Sequence, residues 1–128
     1  LRRMFQTNTS LTPSAVTVTS LDEKFLSQLM EEIEKGISDP SFTINSLESK
    51  MAMSHSNFYR KIKSLTGQSG KDLLLSMRMK RAKQILTDTK GIRISEVAYM
   101  VGYENPKYFS QSFKDFFGVL PSELNSEN

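Results

Sequence analysis

Two stretches of this 128-residue chain place polar and basic side chains at helical spacing, opposite a line of apolar ones. The first stretch begins at His55 and the second at Pro106. An arginine can donate paired hydrogen bonds to O6 and N7 of guanine, and a glutamine pairs in a similar way with adenine, so Arg60 and Gln111 have the chemistry to recognise bases. Lysines beside them suit phosphate groups. Both stretches therefore indicate a surface for a polyanion.

The sequence gives little support for a catalytic site or a metal site. His55 is the single histidine and lies between Ser54 and Ser56. Successive residues of a helix point in different directions, and no third side chain nearby would orient a serine–histidine pair. The chain has no cysteine and no clustered carboxylates, so we predict no enzymatic activity, no metal site and no cofactor.

The net charge of +3 is unevenly distributed. Residues 21–48 contain seven acidic side chains and two lysines, whereas 55–83 contain eight basic side chains and one acidic. Such a split predicts a folded module with one basic face, typical of nucleic-acid binding. A helical protein-interaction module that uses this face to meet an acidic partner is the alternative, and it would bind DNA without regard to sequence.

The residue pattern over 94–117 predicts two short helices joined by a tight turn. Ile94, Val97 and Val101 form an apolar stripe at helical spacing, and Gly102 ends that helix. The second helix follows Asn105, an N-cap residue, and has its apolar side formed by Phe109, Phe113 and Phe116 or Phe117. Pro121 predicts the start of a further helix.

The same organisation occurs about fifty residues earlier, over 43–66, where Ser54 is the expected cap of a helix that buries Phe58, Ile62 and Leu65. A long connector helix is predicted over 70–89, with Met77 on its buried side. Helix 21–36 is expected to begin with a capping box of Ser20 and Glu23. Residues 1–20 read as an arm from a preceding domain and 125–128 as a tail. Methionines at 51, 77 and 100 are expected in the interior.

The chain is therefore predicted to be all-α, with two helix-turn-helix motifs joined by a connector, a homeodomain-like pair of about seven helices. The later motif resembles the signature of AraC-type regulators over Ile94, Val97, Ala98, Val101, Gly102, Tyr103, Tyr108, Phe109, Phe113, Lys114, Phe117, Gly118 and Pro121. The resemblance covers roughly 21–124. Departures from the pattern are Glu48 in place of a small residue, Ala52 in place of the turn glycine, Leu120 in place of threonine, and Leu124-Asn125 in place of Tyr-Arg.

The resemblance implies sequence-specific binding of double-stranded DNA in adjacent major grooves and regulation of transcription. The positions that match the family's base readers are Ser56, Tyr59, Arg60, Lys107 and Gln111. Other outward positions, expected at phosphates or beside the bases, are His55, Asn57, Lys61, Lys63, Pro106, Ser110 and Lys114. At Arg78 the family makes internal ion pairs, which implies a structural role.

Residues 17–26 and 57–69 most resemble the C-terminal domain of hybrid two-component sensors, commonly regulators of polysaccharide-use genes. This resemblance implies an upstream histidine kinase, a phosphorelay, RNA polymerase as a partner and a cytoplasmic domain whose full-length protein can be anchored in a membrane. The isolated domain is expected to be monomeric, with any dimerisation supplied by the upstream part.

Overall fold

A computed structural model describes residues 19–125, and all regular secondary structure in that range is α-helical. In chain order the helices are α1 Ser20–Gly36, α2 Ile44–Lys50, α3 His55–Thr66, α4 Gly70–Asp88, α5 Ile94–Met100, α6 Pro106–Phe117 and α7 Pro121–Asn125. The prediction of an all-α chain with two helix-turn-helix motifs is confirmed. The predicted arm and tail lie almost entirely outside the described residues.

One packed unit consists of 19–36 and Phe42–Leu75, and therefore contains α1, α2, α3 and the start of α4. Its core forms because each helix buries one apolar stripe. The side chains at its centre are Leu26, Leu29, Ile33, Leu47, Phe58, Ile62 and Leu73, each at most 1% exposed. The predicted buried line of α3 is confirmed, with Leu65 at its end.

Helix α1 begins one residue earlier than expected, and its capping box is different. Thr19, not Ser20, is the cap: its hydroxyl accepts from the backbone N–H of Asp22 at 3.1 Å, and its own N–H donates to the Asp22 carboxylate at 3.2 Å. The Ser20–Glu23 box is therefore wrong by one position. Both pairs have a hydroxyl and an acid three residues apart, so local spacing alone could not separate them.

The turn between α2 and α3 contains the one non-glycine residue with positive φ among the described residues, Ala52 at +56°. Ala52 therefore adopts the left-handed conformation of the glycine that it replaces in the family pattern, and this costs roughly 1 kcal/mol. Ser54 then caps α3 as predicted, since its hydroxyl accepts from the N–H of Asn57 at 3.3 Å. The turn is retained at a small energetic cost.

The second packed unit consists of Ile37–Ser41 and 76–125. Its core residues are Met79, Ala82, Leu86, Val97, Ala98, Val101, Phe109 and Phe113. Met79 is fully buried, whereas Met77 is half-buried and Met100 is 47% exposed. The expectation of an interior residue is therefore wrong for Met100, while Met51 and Met77 are only half-buried: methionine is accepted at many positions, and its type does not decide its burial.

Gly102, in the turn between α5 and α6, has φ +88°, and other residues pack closely against its Cα. A Cβ atom there would lie 2.5 Å from the carbonyl oxygen of Ile37 and 2.8 Å from Nη2 of Arg78. Arg78 donates from Nε to the carbonyl of Ile37 at 3.2 Å and from Nη2 to the carbonyl of Asp39 at 2.9 Å. Arg78 is thus structural, as expected, and these contacts are to backbone carbonyls.

The final helix, α7, begins at Pro121, as predicted. The side-chain amide of Asn125 donates to the carbonyl oxygens of Leu86 and Thr89 at 3.3 and 3.4 Å. Asn125, one of the departures from the family pattern, thereby fastens α7 to the end of α4. Over 19–125, no helix is both long enough and apolar enough to span a bilayer.

Candidate nucleic-acid interface

The outer face of α3 is polar and open. Ser56, Tyr59 and Arg60 are exposed, with Tyr59 at 46%, while the other side of the helix is buried in the core. The helix is held at both ends, by the Ser54 cap and by Gly67, whose φ of +77° ends it. A rigid helix therefore presents all three predicted base readers on one accessible surface.

Arg60 is oriented by a neighbour on the same helix. Its Nη2 donates to Oδ1 of Asn57 at 2.6 Å, three residues away. A guanidinium has five N–H donors in a planar fork, so this contact leaves donors available for a ligand. Asn57 thus holds the Arg60 side chain on the outer face of α3.

The first residue of α3 makes a longer-range contact. Nδ1 of His55 lies 2.6 Å from Oε2 of Glu48, at the end of α2. The Glu48 side chain is 11% exposed and that of His55 is 76% exposed. Nδ1 is thus the ring nitrogen that faces the carboxylate, and Nε2 is the other ring nitrogen of the exposed imidazole. The carboxylate that replaces a small residue in the family pattern therefore orients the His55 ring at the start of α3.

Lys61 is directed toward α1. Its Nζ lies 3.4 Å from Oδ1 of Asp22 and 5.0 Å from the ring centroid of Phe25. A phosphate contact by Lys61 stays a prediction, and it would require this pair to open. Lys63, by contrast, is exposed on α3.

The outer face of α6 repeats the arrangement in the second unit. Lys107, Gln111 and Lys114 are exposed, Pro106 and Ser110 are half-buried, and the phenylalanine side of the helix is in the core. The Asn105 side chain accepts from the N–H groups of Lys107 and Tyr108 at 2.9 and 3.3 Å, and Gly118 ends the helix with φ +83°. The predicted residues again share one accessible surface.

Two residues of this surface were not predicted as functional. Asp115 accepts from Nε2 of Gln111 at 2.9 Å, and the Tyr108 ring is 66% exposed beside Tyr103, with ring centroids 5.9 Å apart. The spacing of four residues between Gln111 and Asp115 was a usable sequence signal. Tyr108 is one of the residues that match the family signature. Because it directly precedes Phe109, which is buried, helical geometry places its side chain on a different side of the helix, and this was a signal of its exposure.

Two groups behind this surface have shifted pKa values. Burial lowers the pKa of Arg78, against the opposing effect of charges on Tyr103 and Asp39. Burial likewise raises the pKa of Tyr103, although a hydrogen bond with Ser112 and the charge of Arg78 act against it. Neither shift changes the charge state near neutral pH, so Arg78 remains a cation and Tyr103 a neutral donor. In the described part of the chain, no three His, Asp or Glu side chains are grouped as metal ligands.

Two helix-turn-helix motifs, each presenting a polar second helix, define a class of DNA-binding domain. A family model described as a helix-turn-helix domain matches residues 47–127, and the chain belongs to the AraC-type family of DNA-binding transcription regulators.

Similar proteins agree with this assignment. A protein of Formosa agariphila named histidine kinase P4 is 32% identical over 98% of this chain, which spans 9% of that protein. The Msm operon regulatory protein of Streptococcus mutans is 33% identical over 68% of the chain, corresponding to 31% of its own length. The solved C-terminal domain of AraT, a response regulator of Geobacillus stearothermophilus, is 31% identical with a TM-score of 0.74, covering 81% of this chain and 85% of that one. The chain thus spans less than a third of the length of the two curated relatives, histidine kinase P4 and the Msm operon regulatory protein.

Proposed function

We propose that the domain reads a specific DNA sequence by placing α3 and α6 in adjacent major grooves, and so regulates transcription. The observation that carries this proposal is that each unit presents the outer face of its second motif helix, polar and accessible, while the apolar side of the same helix is buried. An α-helix with such a face fits the major groove.

We assign base reading to Ser56, Tyr59, Arg60, Lys107 and Gln111. Contacts with phosphates or beside the bases are assigned to His55, Asn57, Lys61, Lys63, Pro106, Ser110 and Lys114. The phosphate contacts supply most of the affinity and its salt dependence, while base-edge contacts choose the site. The exposure of most of these side chains supports the assignment.

We further propose that the domain is the output of a hybrid two-component protein. The match to a protein named a histidine kinase over 98% of this chain supports this, as does the likeness to the C-terminal domain of a response regulator. In that context an upstream kinase and phosphorelay control the domain, which works in the cytoplasm with RNA polymerase on polysaccharide-use genes. The isolated domain is a monomer, and dimerisation belongs to the upstream part of a membrane-anchored protein.

The test is selection of bound DNA from a randomised duplex pool at two salt concentrations, followed by sequencing. We expect an enriched site with two short half-sites about ten base pairs apart, the spacing of one helical turn. Affinity should fall with salt by a log–log slope of about −0.9 for each phosphate neutralised. Binding without enrichment would contradict the proposal and favour the protein-interaction module with a basic face.

A further inference from the structure

The strongest unassigned feature of α6 is the contact between Gln111 and Asp115. Both side chains are exposed, they lie one helical turn apart on the outer face, and Nε2 of Gln111 donates to Oδ1 of Asp115 at 2.9 Å. An ionised carboxylate can only accept hydrogen bonds, so it orients the amide with its nitrogen toward Asp115. The amide oxygen then points away from Asp115.

The orientation changes what the pair can recognise. One of the two N–H donors of Gln111 is occupied, whereas its Oε1 and the second oxygen of Asp115 remain acceptors. In the major groove, the amino groups N6 of adenine and N4 of cytosine are donors, while O6 of guanine and O4 of thymine are acceptors. A surface dominated by acceptors attracts the amino groups and repels the carbonyl groups.

The corresponding contact of α3 has the opposite consequence. There the occupied group is an acceptor, Oδ1 of Asn57, and the partner that faces outward is the guanidinium of Arg60. The remaining groups of Arg60 are all donors, which suits guanine. The outer faces of α3 and α6 thus each present an intrahelical pair, and these two pairs have opposite hydrogen-bonding character.

We propose that Gln111 and Asp115 together select a base that presents an exocyclic amine in the major groove, adenine or cytosine, on the contacted strand of the second half-site. Asp115 is a positioning residue that orders the Gln111 amide and rejects guanine and thymine. This inference rests on the proposed function, because it requires α6 to enter the major groove. It goes further by naming the chemical group that is read and the residue that excludes the alternatives.

The experiment uses the duplex selected above, with each of the four bases in turn at the position contacted by Gln111. Dissociation constants are measured for the wild type, Asp115→Asn and Gln111→Ala at one salt concentration. For the wild type we expect adenine and cytosine to bind about tenfold more tightly than guanine and thymine, within the range of base discrimination by one side-chain pair. The asparagine variant, which is isosteric, uncharged and able to donate, should lose most of this discrimination by binding guanine and thymine more tightly.

Glu104→Gln is the matched control, since it removes one exposed negative charge just before α6 without touching the pair. It should strengthen binding of all four duplexes by a similar factor. If Asp115→Asn also acts equally on all four, Asp115 contributes only charge and the inference is overturned while the proposed function stands.

A second probe replaces the contacted adenine by 2′-deoxynebularine, which lacks the amino group. The wild type should lose about tenfold in affinity, and Gln111→Ala should lose far less. Equal losses would contradict reading by Gln111. A wild type that enriches no sequence at all would overturn both the inference and the proposed function.

Discussion

Nδ1 of His55 lies 2.6 Å from a carboxylate oxygen of Glu48, which joins the first residue of α3 to the end of α2 across the turn of the first motif. The carboxylate is nearly buried and the imidazole is open to solvent. This contact ties the stability of the turn to the position of a side chain at the interface.

His55→Ala is expected to destabilise the domain by about 1–2 kcal/mol, because a nearly buried carboxylate loses a hydrogen-bond partner. Chemical unfolding of the wild type, both single variants and the double variant with Glu48→Ala gives the coupling between the residues. In the Glu48→Ala background the histidine substitution should cost almost nothing. Equal costs in both backgrounds would show that the two residues act independently.

Gly102→Ala should destabilise by clearly more than the ~1–2 kcal/mol of left-handed strain alone. The added Cβ would meet the Ile37 carbonyl and the Arg78 guanidinium. Gly118→Ala is the matched control, with φ +83° and no atom within 4 Å of the new Cβ. Thermal unfolding of both variants separates strain from the clash, and similar melting temperatures would mean that Arg78 moves aside freely.

Phe113→Ala should cost about 3–5 kcal/mol of unfolding free energy, the usual cost of emptying a buried phenylalanine site. Its ring is fully buried and lies against Phe109 and Phe117, with centroids 5.8 and 4.7 Å away. Phe116→Ala, on the same helix but 38% exposed, is the control and should cost much less. The two values are compared by urea unfolding, and a reversed order would contradict the helix packing.

Arg60→Ala should weaken binding to the selected duplex by about 1–3 kcal/mol and relax preference at one base pair. Asn57→Ala, which frees the guanidinium without removing it, should cost less and leave the same base preferred. The measurement is a titration of both variants against duplexes that differ at single positions. A uniform loss on every duplex would instead identify Arg60 as a phosphate contact.

The Asp22 carboxyl links the stability of α1 to pH. Its pKa lies below the usual 3.8, chiefly because it accepts from the backbone N–H of Thr19; partial burial acts in the opposite direction. A lowered pKa stabilises the fold above the unfolded value, and this contribution is lost as pH falls through the folded pKa. Asp22→Asn should therefore destabilise by roughly 0.5–1 kcal/mol near neutral pH and converge with the wild type under acid conditions. Glu31→Gln, an exposed change on the same helix, should not show this convergence.

Most of the local structure could be predicted from the sequence. The Asn105 and Ser54 caps and the buried phenylalanines of α6 follow from residue type and helical spacing, which act over one or two turns. The Gln111–Asp115 pair is also a local interaction, because its two residues are four positions apart on one helix, and this spacing can be recognised in the sequence. The error at Thr19 arose where two local signals of equal quality overlapped.

Other contacts near the candidate site join residues that are far apart in the chain. Lys61 was predicted at a phosphate, but it lies beside Asp22, 39 positions earlier, and Arg78 donates to carbonyl groups of Ile37 and Asp39. No spacing rule relates residues so far apart in the chain, because their proximity depends on how the helices pack. The sequence by itself determined the helices, their buried sides and the family; only the tertiary structure decided which charged side chains face inward to partners and which remain available to DNA.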